Sequence, residues 1–249
     1  MGRHNRQNDP IAFLFPPPDV IDLGNTQVAG IAQTGGLLDL TAWKDKLSGG
    51  DTWVKGLEKP ATVNSRLYGI PAFAAARAVI YNQKVWADAT ITREPKNWDE
   101  FIRDLDKLRS RNANDPNFVP FYLPGQMWYS TLQFIWDAGG DVARQEDGDW
   151  KGSTSNPRTR RGLEEWKSFQ NTYSSEASRT ADSLDPDMEQ LLADGNTGAI
   201  LSNSASILAI ERDNPDIGRD DLASFAMPGR SGRNQPSMVA GFGLGRSRP

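Results

Sequence analysis

From Asn64 to Phe101 the chain reads NSRLYGIPAFAAARAVIYNQKVWADATITREPKNWDEF, and this stretch decides the fold. A polar entry leads into an extended apolar run through Ile70-Pro71, and then to Arg77 among apolar neighbours. A second apolar run, Val79, Ile80 and Tyr81, ends at Asn82, and a short helix follows. Asn97 opens a longer helix, with Glu100 at the spacing of a capping box and Phe101, Leu105 and Leu108 recurring at helical period. Extended runs alternating with helices predict an α/β chain.

Upstream, Val20 to Leu23 is a short apolar strand candidate behind the rigid run Pro16 to Pro18. Asn25 or Thr26 is expected to cap a helix that reaches about Gln33 and stops at Gly35-Gly36. Helix N–H groups then lie at the carboxyl end of a strand, the place where open α/β sheets bind ligands. Asp39-Leu40-Thr41 leads into a second helix carrying Trp43 and Leu47.

Downstream, Gln126 to Ala138 reads as a helix, apolar at Leu132, Ile135 and Trp136 and ended by Gly139-Gly140. Asp147-Gly148-Asp149 predicts a hairpin turn. Asn156-Pro157 is a cap followed by proline at the first helical position, with Leu163, Trp166 and Phe169 on the buried face. Asp185-Pro186 repeats the device ahead of Met188, Leu191 and Leu192. Ala199 to Leu201 is a strand, Ser202 to Ser204 a turn and Ala205 to Arg212 a helix.

Composition narrows the chemistry. The 249 residues suffice for a sizeable core in one large domain or two small ones. With no Cys, thiol catalysis, Cys-ligated zinc and disulfides are excluded. The single histidine, His4, sits in a polar leader, which excludes a His-based triad or a multi-His metal site. The net charge of -4 and the scattered arginines leave no basic stripe, so no nucleic-acid partner is expected. No apolar run is long enough to span a bilayer, and MGRHNRQNDP lacks the apolar core of a signal peptide.

Five motifs in order resemble the extracytoplasmic solute-binding proteins of ABC importers, in particular the carbohydrate-binding, maltose-binding-protein-like family. They are DVIDLGNTQ (Asp19 to Gln27), LYGIPAFAAARAVIYN (Leu67 to Asn82), WYSTLQFIWDAGGD (Trp128 to Asp141), DGNTGAILSNSASI (Asp194 to Ile207), and FAMPG with VAGFGLG (Phe225 to Gly229 and Val239 to Gly245). The chain departs from the family in having Ala74, Ala75 and Ala76 where many members carry Ser or Asp, and no Trp near Ser206.

The resemblance implies a two-lobe, type II periplasmic-binding-protein-like α/β fold, expected here as an internal fragment incomplete at both ends. Residues 1–18 are then a non-native or disordered leader. Residues 19–77 and 236–249 form part of lobe I, and 78–235 form lobe II with the return hinge. The implied function is a carrier that traps a small oligosaccharide or sugar between its lobes and delivers it to a membrane permease. It is expected to act as an extracytoplasmic monomer without cofactor or metal, from a family tethered to the membrane, although this chain has no lipidation Cys. The implied ligand contacts are Asn25, Thr26, Arg77, Trp128, Tyr129, Ser204 and Gly241.

Each contact has a structural counterpart. Asn25 and Thr26 at a helix start would otherwise be read simply as caps, but their place in the family motif favours the ligand role, while Arg77 serves equally as an ion-pair partner of Asp22 or another acid. Trp128 and Tyr129 could be core, but aromatic rings match the apolar faces of sugars, and Trp128 is read as a stacking residue with Trp136 in the core. Gly241-Phe242-Gly243-Leu244-Gly245 is read as backbone that must approach closely rather than as a nucleotide loop. A rival reading is a carbohydrate-active enzyme using Asp137 and Asp141, although both acids flank a glycine-rich helix end suited to a turn. A truncated family member without function is the third.

Overall fold

The computed structural model describes residues 18–47, 49–182 and 187–246. Residues 1–17 of the expected leader and the Asp185-Pro186 cap lie outside the described residues. The chain begins with β1 (Ile21–Gly24), α1 (Val28–Gln33), a 3₁₀ helix over Thr41–Lys46, α2 (Lys55–Ala61), β2 (Thr62–Val63), β3 (Arg66–Leu67) and β4 (Ile70–Ala75). It continues through β5 (Ala78–Asn82), α3 (Gln83–Asp88), α4 (Trp98–Arg111), α5 (Trp128–Asp137), β6 (Ala143–Glu146), β7 (Asp149–Gly152) and α6 (Pro157–Tyr173). The last elements are α7 (Met188–Ala193), β8 (Ala199–Ser202), α8 (Ala205–Asp213), β9 (Leu222–Phe225) and β10 (Ala240–Gly245). They divide into two compact units, one within Met1–Ala75 and Val239–Pro249, the other Ala76–Met238.

The first unit is built on a three-stranded sheet in the order β1-β10-β4, antiparallel throughout. Ile21 and Leu23 are buried while Asp22 between them is exposed, the alternation of a strand with one face on a core. Val28, Ala32, Leu37, Leu40, Ala61 and Leu67 complete that core. At Gly241 an added Cβ would lie 2.1 Å from the Phe73 carbonyl oxygen, so β10 can pass β4 and α2 only as bare backbone. The helix start differs from the sequence expectation. The N-cap of α1 is Gln27, without a side-chain cap bond, and neither Asn25 nor Thr26 takes that role. The Gln27 side chain instead accepts the Gly24 N–H at 2.9 Å and tightens the corner from β1.

In the second unit β5 is the central strand of the sheet β8-β5-β9, again antiparallel on both sides. Val79, Ile80 and Tyr81 are all buried, so this strand is covered on both faces and its sequence does not alternate. Asn82 ends the strand and caps α3, accepting the Lys84 and Val85 N–H groups. The α4 stripe Phe101, Leu105 and Leu108 is wholly buried. Phe101 joins an aromatic cluster, with ring centroids 5.9 Å from each of Phe121, Phe169 and Phe225.

Half of the expected capping box at Asn97 forms. Asn97 Oδ1 accepts the Glu100 N–H at 2.9 Å, but the Glu100 carboxylate turns to the Lys96 N–H and to Arg93 Nη1. Those donors hold its pKa down to about 2, the Arg93 hydrogen bond contributing most. Asn156 accepts the Arg158 N–H with Pro157 next in line, as read from the sequence. Asp147 and Gly148 both have positive φ in the hairpin joining β6 to β7. In α5 the buried residues are Ser130, Gln133, Phe134 and Ile135, while Trp136, assigned to the core from sequence, is only half-buried.

Candidate functional site

Arg77 lies in the short bend between β4 and β5. Ser237 grips it there by its backbone, the Oγ accepting the Arg77 N–H at 3.1 Å and donating to the Arg77 carbonyl at 3.3 Å. The expected ion pair with an acid is not made among the described residues. The guanidinium carbon instead lies 4.0 Å from the centroid of the Tyr129 ring. Its Nε is buried and without a hydrogen-bond partner among the described residues. Burial lowers the Arg77 pKa from its ordinary value, opposed by Tyr129 and by the charge of Glu189.

Tyr129 continues the stack. Its ring centroid is 3.9 Å from that of Trp128, at an interplanar angle of 34°. Both residues occupy the first turn of α5, where chain entry is fixed by Gly125: a Cβ there would lie 1.9 Å from the Arg179 carbonyl oxygen. Trp128 remains 47% exposed, an unusual state for a large ring at the start of an amphipathic helix. Arg77, Tyr129 and Trp128 therefore form one continuous cation–aromatic–aromatic platform, brought together from positions about fifty residues apart.

A polar network sits at the junction of α7, β8 and α8. Ser202 Oγ donates to Glu189 Oε1 at 3.1 Å, Ser206 Oγ makes a shorter bond to the same oxygen, and the two hydroxyls are 2.6 Å apart. Burial pushes the Glu189 carboxyl above its ordinary range, and a hydrogen bond with Asp187 adds to this while Ser206 and Ser202 oppose it. Ser206, where the resemblance expects a Trp nearby, thus faces inward. The predicted contact Ser204 is exposed at the N-cap of α8 and makes no side-chain cap bond. Gln235 is buried with both amide atoms unpartnered among the described residues, two positions from Ser237.

The remaining predicted contacts lie in the first unit. Asn25 is buried, donates from Nδ2 to the Val239 carbonyl at 3.0 Å, and its N–H binds the Gly241 carbonyl at 3.1 Å. Thr26 is exposed beside it. These residues join the β1 corner to the start of β10.

The two acids of the rival reading act as turn-formers. The Asp137 carboxylate accepts the Arg230 N–H at 2.7 Å and the Ser231 hydroxyl at 2.6 Å. Asp141 Oδ1 accepts the Val142 N–H at 2.9 Å, and the Asp141 carbonyl binds Ser153 and Thr159.

Residues 7–231 match the family model described as bacterial extracellular solute-binding protein. The chain belongs to that family. It is 34% identical over 213 residues, 86% of its length, to the diacetylchitobiose binding protein DasA of Streptomyces coelicolor, and spans 48% of that relative. The chain therefore covers about half the length of this curated relative. Solved structures of similar fold include an ABC transporter solute binding protein from Thermotoga lettingae bound with alpha-D-tagatose, with a TM-score of 0.76 at 20% identity over 92% of this chain and 58% of that one. Another is maltose-bound MalE3 of T. maritima, with a TM-score of 0.75 at 20% identity over 93% of this chain and 57% of that one. The family member thus has the α/β, type II periplasmic-binding-protein-like fold expected from its sequence motifs. Among the described residues no helix is long and apolar enough to cross a membrane.

Sequence reasoning missed Glu189, Gln235 and Ser237. The one local hint was the serine pair Ser202 and Ser206, four residues apart across a strand end and a helix start. Nothing in the short helix MEQLLA marks Glu189 as their partner.

Proposed function

We propose that this chain is the sugar-binding component, or part of it, of an ABC importer, which carries a small oligosaccharide or sugar to a membrane permease without altering it. The observation that carries the reading is the exposed ring of Trp128 backed by Tyr129 and Arg77, a flat apolar surface suited to a pyranose face beside a guanidinium that can donate to hydroxyls. Trp128 and Tyr129 supply stacking, Arg77 supplies donors, and Ser204 adds a hydroxyl from the start of α8. Asn25, Thr26 and Gly241 contribute from the first unit. Family membership supports a binding role, and the engagement of Asp137 with the 230–231 backbone and hydroxyl weighs against a glycosidase pair.

In this reading residues 19–77 and 236–249 are part of lobe I and 78–235 are lobe II, and the ligand is trapped when the lobes close by a hinge. The division of the chain after Ala75 and after Met238 supports that assignment. The protein works as a monomer outside the cytoplasmic membrane, where the family's members are tethered, and uses no cofactor. Calorimetry with diacetylchitobiose, maltose and tagatose, the ligands named for its relatives, tests the proposal. Saturable binding of one of them, recovered intact by chromatography, is expected. Binding of none, or cleavage that depends on Asp137 or Asp141, would overturn the carrier reading.

A further inference from the structure

The two ends of α5 are joined by a circuit of contacts, every link of which lies within the second unit. At the start of the helix, Tyr129 carries the Arg77 guanidinium at 4.0 Å from its ring centroid. At its end, about 12 Å further along at helical rise, the Asp137 carboxylate accepts the Arg230 N–H at 2.7 Å and the Ser231 hydroxyl at 2.6 Å. Both partners belong to a turn closed by the Pro228–Asn234 bridge and by the Gly229 N–H, which donates to the Arg233 carbonyl at 2.7 Å. Asp137 reaches this turn because residue 229 is glycine: a Cβ there would lie 2.3 Å from Asp137 Oδ1. The Arg230 guanidinium, 4.8 Å from the Trp98 ring centroid, is a second hold on the same turn. The chain then runs back past Gln235, whose N–H donates to the Met227 carbonyl at 2.8 Å, to Ser237. Ser237 Oγ accepts the Arg77 N–H at 3.1 Å and donates to the Arg77 carbonyl at 3.3 Å, which closes the circuit.

Arg77 needs that hold. It stands in the bend between β4 and β5, outside both strands, and its Nε is buried without a hydrogen-bond partner among the described residues. A stack on one ring resists sliding only weakly, whereas one hydroxyl that accepts and donates at once fixes the backbone by two directional bonds. The returning segment is not held midway by its own side chain: both amide atoms of Gln235 are buried and unpartnered among the described residues, a costly state. Its place is set by its ends. We propose that residues 229–237 form a strap that positions Arg77, with Ser237 the positioning residue at one end and Asp137 the anchor at the other. Ligand affinity then depends on two residues outside the Arg77–Tyr129–Trp128 platform. This rests on the reading of that platform as a sugar site.

Ser237→Ala removes the hydroxyl and Ser237→Thr keeps it. The first measurement needs no ligand. In proton–nitrogen spectra of the whole chain, the Arg77 Nε–H signal, assigned by its loss in Arg77→Lys, is displaced by the Tyr129 ring and moves toward the free-arginine position in Tyr129→Leu. The same movement is expected in Ser237→Ala and in Asp137→Ala, and not in Ser237→Thr. The second measurement is calorimetry with diacetylchitobiose. Affinity is expected to fall roughly tenfold in Ser237→Ala, to return in Ser237→Thr, and to fall no further when Ser237→Ala is added to Arg77→Ala. A clasp that serves stability alone lowers the melting temperature and leaves the Arg77 signal in place, and that result in Ser237→Ala overturns the proposal. So does an equal loss of affinity with and without Arg77. Asp137→Ala carries the test if Ser237→Ala does not fold, and an unmoved Arg77 signal there overturns the strap. A signal that moves as expected, in a chain that binds no sugar, instead overturns the sugar reading and leaves Ser237 established as the residue that places Arg77.

Discussion

The Arg77 guanidinium covers the Tyr129 ring at 4.0 Å from its centroid. The two groups come from different parts of the chain and stack with no acid in contact with the guanidinium among the described residues. Arginine is suited to this arrangement because its planar, weakly hydrated fork stacks on a ring and still points donors sideways, which lysine cannot do.

From this platform follows an expectation for binding. Trp128→Ala should weaken sugar affinity by roughly 1–3 kcal/mol, the range for a central aromatic anchor. Arg77→Lys, which keeps the charge but loses the stack, should cost about 0.5–2 kcal/mol. Isothermal calorimetry on folded variants checks both. Unchanged affinity in Trp128→Ala, with the circular dichroism of the natural chain, removes that ring from the site.

Packing of α6 on α5 depends on Gly162. A Cβ there would lie 2.5 Å from the Ile135 Cα and 2.7 Å from the Phe134 carbonyl oxygen, which are backbone atoms and cannot move aside. Gly162→Ala is therefore expected to destabilise the second unit by about 1–3 kcal/mol, despite the better helix propensity of alanine. Urea unfolding followed by tryptophan fluorescence reads the change. A neutral or stabilising result would mean that the two helices do not approach so closely.

The elements of the second unit were legible in the sequence where the signal is local. Asn82, Asn97 and Asn156 announce helix starts by capping chemistry, and Phe101, Leu105 and Leu108 announce a buried face by spacing. The failures involve competing partners. Gln27 occupies the N-cap of α1 because the corner folds tightly against Gly24, and Asn25 is drawn away to the Val239 carbonyl, a partner 214 residues along the chain. Trp128, Tyr129 and Arg77 could be named individually from their motifs, but their mutual stacking could not. Glu189 was illegible because its two serines come from a strand and a helix that only the tertiary fold brings to it.

Asn97 offers a test of what half a capping box is worth. Its side chain serves the Glu100 N–H, while the Glu100 carboxylate serves Lys96 and Arg93 outside the box. Asn97→Ala should cost about 1 kcal/mol, the usual value of a lost cap. Glu100 has a depressed pKa, so its contribution is present above the ordinary glutamate value and is lost as pH falls toward about 2. The pair Arg93–Glu100 is solvent-facing, so Arg93→Ala should change thermal stability little at neutral pH and less still in high salt. Melting curves at several pH and salt values separate the two contributions.

Glu189 makes the opposite prediction, because its pKa is raised, first by burial and then by its hydrogen bond with Asp187. Below the unfolded-state value both folded and unfolded chains hold the proton, and the residue exacts no penalty. As pH rises past that value the unfolded chain ionises freely while the fold resists, so stability falls until the folded-state pKa is passed. Above it the penalty is constant. Glu189→Gln has no such titration. Its melting temperature relative to the natural chain should therefore climb between acid and neutral pH and then level off, with the variant the more stable at neutrality. Asp187→Asn should shift this curve, since Asp187 contributes to the raised value. A difference that stays constant with pH would mean that Glu189 ionises in the fold as easily as in the unfolded chain.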